Sequence, residues 1–295
     1  YVNMLTWPVA VVGWVTSIIQ QAEASQKRIN EFLEEKPDIR NGKGVEGVIN
    51  GSIEFNNVSL LYPETNVKAI NTISLKISAG STIGIIGNIG SGKTSLLDLI
   101  VRLYDPVAGV IKVDGIDIRK YSLNKLRNSI SYVPQNAFLF SETIENNIGY
   151  GLISSILKDI VEASKKAAVH KNIISFLDGY KTILGERGVT LSGGQIQRVS
   201  IARAIIKNSK ILLLDDCLSA VDTKTEKEIL NHLKSFTKSK TTIIVSHRIS
   251  SLKHADQIIV FENGQIVQQG KHSYLMGVKG YYKELFEKQN TELSK

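Results

Sequence analysis

The eight residues Gly87-Asn88-Ile89-Gly90-Ser91-Gly92-Lys93-Thr94 satisfy G-x-x-x-x-G-K-[ST] at every specified position, the spacing of a loop that binds a chain of phosphates. Backbone N–H groups from Asn88, Ile89, Gly90, Ser91 and Gly92 through to Ser95 would face the phosphates. Lys93 would reach the β- and γ-phosphates, and the Thr94 hydroxyl would ligate Mg²⁺. A second pair of reactive groups, Asp215-Asp216, ends the apolar run Ile211 to Leu214. There Asp215 is placed to hold Mg²⁺ through water and Asp216 to orient or deprotonate an attacking water. Together these groups imply hydrolysis of a nucleoside triphosphate. Taken apart, a Gly-rich turn and a solvated acidic loop would account for them.

Such a loop needs a strand that turns into a helix. Thr82 to Ile86 reads as a short buried strand, and Ser95 to Arg102 carries apolar residues at helical spacing. The glycines therefore fall where a helix N-terminus can face an anion. Before them, Ile53, Phe55 and Val58 start a strand that Tyr62-Pro63 closes, and Ile70 to Ile77 alternates as a half-buried strand. After them, Gly109 to Ile118 reads as a hairpin through Asp114-Gly115, and Ile130 to Val133 as a strand ending at Pro134-Gln135. Residues 141 to 178 are mostly helical in pattern. Ile211 to Leu214, Thr241 to Val245 and Ile258 to Phe261 are apolar strands separated by helical stretches, as a mostly parallel sheet demands.

The chain has 295 residues, enough for one large domain plus an appendage. Its single cysteine, Cys217, excludes an internal disulfide and suits a reducing compartment. In a site beside two acids it reads as a small buried residue rather than a nucleophile. The net charge of +8 suits nucleic acid or an anionic membrane surface, but the basic residues are scattered and form no dense tract.

The chain opens without an initiator Met or a charged leader. Met4 to Ile19 is apolar and uncharged, and at 16 residues falls short of the ~20 that cross a bilayer. It turns polar without a break through Lys27, Arg28, Glu34 and Glu35. This reads as the cytoplasmic half of a last transmembrane helix, with Trp14 near the interface; a buried helix of a soluble domain is the alternative. Pro37 to Val48, with three glycines, is a linker.

Leu191-Ser192-Gly193-Gly194-Gln195, lying between the phosphate loop and the acidic pair, resembles the signature of ABC-transporter ATPase domains. The family's other marks follow in family order. Tyr62 resembles the adenine-stacking aromatic, Gln135 the Q-loop residue that senses Mg²⁺, Ser219-Ala220-Val221-Asp222 the D-loop, and His247 the switch histidine. Gly185-Glu186-Arg187-Gly188 resembles an exporter loop that faces the membrane domains. The resemblance covers about residues 49 to 290; residues 1 to 48 resemble the end of the sixth transmembrane helix and the linker of a bacterial multidrug or lipid exporter half-transporter.

The resemblance implies an α/β fold: a P-loop NTPase core with a mostly parallel sheet, an antiparallel β subdomain and a helical subdomain at about 136–206. It assigns residues 1–24 to the end of the last transmembrane helix, 25–48 to a cytoplasmic helix extension and linker, and 49–295 to the ATPase domain. It implies ATP and Mg²⁺, with Thr94, Gln135 and Asp215 at the metal and Lys93, Gln135, Asp216 and His247 in catalysis. Ser192, Gly193, Gly194 and Gln195 would grip ATP held by a second such domain, identical or different, so that two shared sites close together. The remaining partners would be its own transmembrane domain and an unidentified cargo, with no nucleic acid. The location would be the plasma (inner) membrane, with the ATPase domain on the cytoplasmic side. One position departs from the family: a Glu usually follows the metal-holding Asp, whereas this chain has Asp216, shorter by a methylene. Among exporters this resembles the slow-hydrolysing half of an asymmetric pair; a homodimer that tolerates Asp is the other reading. A soluble ABC ATPase acting on nucleic acid or the ribosome, and a nucleotide-gated regulatory subunit with little turnover, are the alternative functions.

Overall fold

The computed structural model describes residues 1–152, 156–185 and 191–293, in two compact units, 1–40 and 41–295. The first is one helix, Val2–Glu34, with Pro8 within it and none of its residues buried. It contains a window of mean hydropathy 1.6 and is long and apolar enough to cross a membrane. The apolar stretch expected over Met4 to Ile19 is thus part of a helix of 33 residues, about 50 Å long, which passes residue 24 without a break.

In the second unit, residues 41–44, part of the expected linker, are laid onto the domain. The amides of Gly42 and Gly44 donate to the carbonyls of Tyr121 and Lys120, both at 3.2 Å. Asn41 Oδ1 accepts from the Leu123 amide at 3.0 Å. A Cβ at residue 42 would stand 2.4 Å from two backbone oxygens, so this close approach needs glycine.

Among the described residues, ten strands form two sheets. The first is antiparallel, in the order β2-β1-β4-β5, built from β1 (Ile53–Leu61), β2 (Lys68–Ile77), β4 (Ala108–Val113) and β5 (Ile116–Asp117). The second comprises β3 (Thr82–Gly87), β6 (Ile130–Val133), β7 (Ile211–Asp215), β8 (Thr241–Val245), β9 (Gln257–Glu262) and β10 (Gln265–Gly270), in the order β10-β9-β3-β8-β7-β6. All its pairings are parallel except β9 with β10.

The continuous apolar runs of β3, β7, β8 and β9 follow from burial on both faces. Ile86, Leu212, Leu214, Ile244, Ile258 and Val260 join one core with the helices Ile144–Gly149, Leu157–Lys166, Gly193–Lys207 and Thr223–Thr237. Their alternates Ile85, Ile211, Leu213, Ile243, Ile259 and Phe261 join the other core, with the antiparallel sheet and the helix Lys93–Ile100. Each strand is therefore held in register from above and below, since a slip of one residue would swap its two faces. The fixed register sets Ile85 and Asp215 both opposite Val245, and Val133 opposite Leu214. The loops that leave β3, β6, β7 and β8 consequently meet at one end of the sheet, where ligands of open α/β sheets bind.

Candidate functional site

The phosphate loop leaves β3 at Gly87 and enters the helix at Lys93. Gly90 and Gly92 have φ of +76° and +101°, which a side chain rarely adopts. A Cβ on Gly92 would also stand 2.4 Å from the Ala69 carbonyl oxygen. The loop wraps the Lys93 ammonium, which donates to the carbonyls of Gly87 (3.0 Å) and Asn88 (2.6 Å) and, at 3.4 Å, to Ser91 Oγ. Burial lowers the Lys93 pKa, opposed by the charges of Asp215 and Asp216.

Asp215 ends β7 and is 2 % exposed. Burial raises its pKa; the charge of Asp216 adds to this, while a hydrogen bond with the Thr94 side chain, another with Tyr132 and the Lys93 charge oppose it. Asp216 follows with φ +43°, a left-handed conformation that Asp tolerates better than most residues. Its backbone is pinned on both sides. The amide donates to the Val245 carbonyl at 2.9 Å, and the carbonyl accepts from the Ser219 amide at 3.3 Å and from Ser219 Oγ at 2.8 Å.

The other expected residues converge here. Tyr62, Ile89, Gly90, Ser91, Gly92, Lys93, Thr94, Ser95, Gln135, Asp215, Asp216 and His247 all line one cleft of about 770 Å³. Tyr62 follows β1, with its hydroxyl 2.8 Å from Ser95 Oγ and its ring edge-on to Tyr104. Gln135 is exposed just past β6, and His247 is half-buried just past β8. Asn88 belongs to the loop but is not among the residues lining the cleft; its Oδ1 accepts from the Tyr281 hydroxyl at 3.0 Å. Cys217 is buried, and burial pushes its thiol well above the ordinary range, as suits a packing residue. A separate cavity of about 280 Å³, between the helix Thr223–Thr237 and the sheet, holds none of these groups.

The signature does not enter this cleft. Ser192 caps the helix Gly193–Lys207 in a capping box: the Gln195 amide donates to Ser192 Oγ at 3.3 Å, and the Ser192 amide to Gln195 Oε1 at 2.8 Å. Ser192 and Gly193 are exposed. Gly194 lies against Ala220, whose carbonyl oxygen a Cβ there would meet at 2.8 Å, and Gln197 Oε1 accepts from the Ala220 amide at 3.2 Å. The signature helix is thereby joined to residues 219–222, one turn beyond Asp216. Of the exporter-type loop, only Gly185 is described; residues 186–188 lie outside the described residues.

Two groups beside the cleft were not expected. Tyr132, on β6, places its hydroxyl 3.4 Å from both Asp98 Oδ1 and Asp215 Oδ2. Asp98 lies half-buried on the helix behind the loop, and burial together with the Asp215 charge pushes its pKa up to about 6 against the Tyr132 hydrogen bond. The available signal was an acid set among Leu96, Leu97, Leu99 and Ile100. Among the described residues, no group of three or more His, Cys, Asp or Glu side chains could hold a metal by itself. The hydroxyl of Thr94, the carboxylate of Asp215 and the amide of Gln135 are nonetheless hard oxygen donors around one cleft. Such a set fits Mg²⁺, which keeps waters and substrate phosphates as its remaining ligands.

The ABC transporter family profile matches residues 70–219. The chain is 45 % identical over 290 residues to YknU of Bacillus subtilis, an ABC transporter ATP-binding protein, covering 98 % of this chain and 50 % of YknU. It is 38 % identical over 292 residues to the multidrug resistance-like ATP-binding protein MdlA of Escherichia coli, covering 99 % of this chain and 50 % of MdlA. A bacterial Atm1-family ABC exporter solved with ATP bound superposes with a TM-score of 0.89 at 34 % identity, over 95 % of this chain and 49 % of the exporter. The chain thus spans about half the length of the relatives it matches. With a phosphate loop, an acidic strand end and a detached signature on this α/β frame, the chain belongs to the ABC transporter family and carries its ATP-binding, ATPase-type domain.

Proposed function

We propose that the chain binds ATP with Mg²⁺ and hydrolyses it at a site shared with a second such domain, driving export across a membrane. The observation that carries this reading is the division of the site. Loop, acids, Gln135 and His247 line one cleft, while the exposed N-terminus of the signature helix lies outside its lining and is open to a nucleotide held by another chain.

In this reading Tyr62 packs beside the adenine and the loop amides hold the phosphates. The Lys93 ammonium exchanges its longest contact, Ser91 Oγ at 3.4 Å, for a phosphate oxygen. Mg²⁺ neutralises phosphate charge when bound, and Thr94, Asp215 and Gln135 are the residues that would hold it. Asp216 orients or deprotonates the attacking water, and His247 donates to the γ-phosphate. The second domain supplies Ser192, Gly193, Gly194 and Gln195. ATP closes the pair and hydrolysis reopens it. The helix Val2–Glu34 and residues 25–48 then pass the motion to the membrane domain, with the ATPase domain on the cytoplasmic side of a plasma membrane. The membrane domain selects the cargo.

Asp216 favours a second reading, in which this chain is the slow half of an asymmetric pair and its signature completes the competent site of a different partner. The test is ATP turnover and equilibrium ATP binding by the full-length protein with its partner. Lys93→Ala is expected to lose ATP binding, and Ser192→Arg to keep binding but lose turnover. Unchanged turnover in Ser192→Arg would refute the shared site.

A further inference from the structure

The C-terminal helix Tyr281–Leu293 touches the site at two places. Its first residue, Tyr281, donates from its hydroxyl to Asn88 Oδ1 in the phosphate loop at 3.0 Å. Eight residues on, about 12 Å along the helix, the Gln289 amide grips the segment after β8. Gln289 Nε2 donates to the His247 carbonyl at 2.6 Å, and Gln289 Oε1 accepts from the Ile249 amide at 3.0 Å. A carbonyl can only accept and a backbone N–H only donate, so these partners fix which way the amide faces. One planar group therefore bridges the two peptides that flank Arg248.

Ile249 opens the helix Ile249–Leu252, whose cap residue, Arg248, makes no side-chain cap hydrogen bond. Gln289 supplies an acceptor for this first-turn amide, one of the donors that a helix start leaves without an intrahelical partner. The His247 imidazole lines the cleft and makes no hydrogen bond to the described residues, so its position is set through its backbone. From the other side Arg248 pairs with the buried Glu226 and donates to the carbonyls of Val221 at 3.3 Å and Ser219 at 3.4 Å. The segment stays tethered by Arg248 without Gln289, but the carbonyl of His247 loses its fixed partner. The helix that carries Gln289 is itself anchored: Tyr282 is fully buried, with its hydroxyl 2.8 Å from His272 Nδ1.

We infer that Gln289 is a positioning residue for His247, and that the C-terminal helix ties the phosphate loop to the segment carrying the group that meets the γ-phosphate. This rests on the proposed role of His247 in hydrolysis.

The experiment is a double-mutant cycle in the full-length protein with its partner, reading kcat, equilibrium ATP binding and thermal unfolding. Gln289→Leu should lower kcat about tenfold, within the range produced by displacing a reacting group by a fraction of ~1 Å, with ATP affinity and unfolding midpoint near those of the parent. In a His247→Ala background the same change should cost nothing further, because both act through one group. Gln289→Glu keeps an acceptor for the Ile249 amide but sets an oxygen against the His247 carbonyl, so it should fall as far as Leu and serves if the Leu variant does not fold. Parental turnover in these variants, or an equal further loss in the His247→Ala background, would overturn the inference. Parental turnover in His247→Ala alone would instead remove the role of His247 on which it rests. Where His247→Ala leaves nothing to measure, the His247 ring resonance decides: it should shift in Gln289→Leu, and an unmoved resonance refutes the positioning role.

Discussion

Asp216→Glu separates a slow catalyst from an uninvolved position, because the structure fixes where the added methylene must go. The Asp216 backbone is held at its amide by Val245 and at its carbonyl by Ser219, so the longer side chain extends into the cleft rather than displacing the strand end. The gain in reach is on the order of 1 Å. If the short carboxylate is what leaves the attacking water misplaced, restoring that distance is worth up to about a hundredfold in rate, or about 2.7 kcal/mol of barrier. A cost opposes it. At φ +43° Asp is among the side chains that visit the left-handed region and Glu is not, for a stability loss of up to ~1 kcal/mol. Turnover should therefore rise while ATP affinity stays near that of the parent, since the change acts on the transition state, and the unfolding midpoint should fall slightly. The assay is single-site turnover in the full-length protein with its partner, with Asp216→Asn as the control that keeps shape and removes the base. A Glu variant no faster than the parent refutes the reach explanation. A parent already turning over at ~10 s⁻¹, the median for enzymes, refutes the slow-site reading.

Three further outcomes follow from the same geometry. Gly92→Ala should destabilise the domain by at least ~2 kcal/mol, from a left-handed backbone and a Cβ 2.4 Å from the Ala69 oxygen; denaturant unfolding checks it, and a loss below ~0.5 kcal/mol would mean the loop relaxes freely. Lys93→Ala should abolish or greatly weaken ATP binding in calorimetric titration, and unchanged affinity would reduce the loop to a turn. Asp98→Asn should stabilise the nucleotide-free protein in a pH-dependent way. The Asp98 pKa is raised from 3.8 to about 6, so its burial costs nothing below pH ~4, where both states hold the proton, and costs most above pH ~6. Such a rise corresponds to up to ~3 kcal/mol, which partial exposure to water cuts to ~1 kcal/mol; unfolding at pH 4 and pH 8 should show the Asn variant gaining only at the higher pH.

The core strands were legible because burial on both faces leaves an unbroken apolar run, as in Ile211 to Leu214, with no other use for so many β-branched and leucine side chains in a row. β10 was not found, and its residues explain why. Three glutamines in Gln265–Gly270 and an alternating exposed face give little apolar signal at an antiparallel edge. The missed cue was the turn: Asn263-Gly264, at φ of +48° and +75°, is a strong hairpin pair. The polar extension of the N-terminal helix, by contrast, was legible. The helix's apolar part stops near Ile19, but α-helix continues through polar residues to Glu34 because residues such as Gln20, Gln21, Ala22, Lys27 and Arg28 are good helix formers.

The site divides along the same physical line. Gly87 to Thr94 could be found because a single short segment must supply glycines, a lysine and a hydroxyl at fixed spacing, and Asp215 because a carboxylate ending a buried strand is costly unless something uses it. Tyr132, Asp98, Tyr281 and Gln289 carry no such spacing. Each meets its partner across 34 to 193 residues of chain, so only the register of the sheet and the docking of the last helix bring them to the cleft. That arrangement has a consequence for how the site is held. The groups that would touch ATP sit on loops at strand ends, and what positions those loops comes from elements remote in sequence: β6 behind Asp215, and the C-terminal helix behind Asn88 and His247. Substitutions at Tyr132, three residues before Gln135, or at Gln289, remote from every motif, are therefore expected to act on turnover through the placement of Asp215 and His247, whereas changes on the exposed face of β10 have no such route.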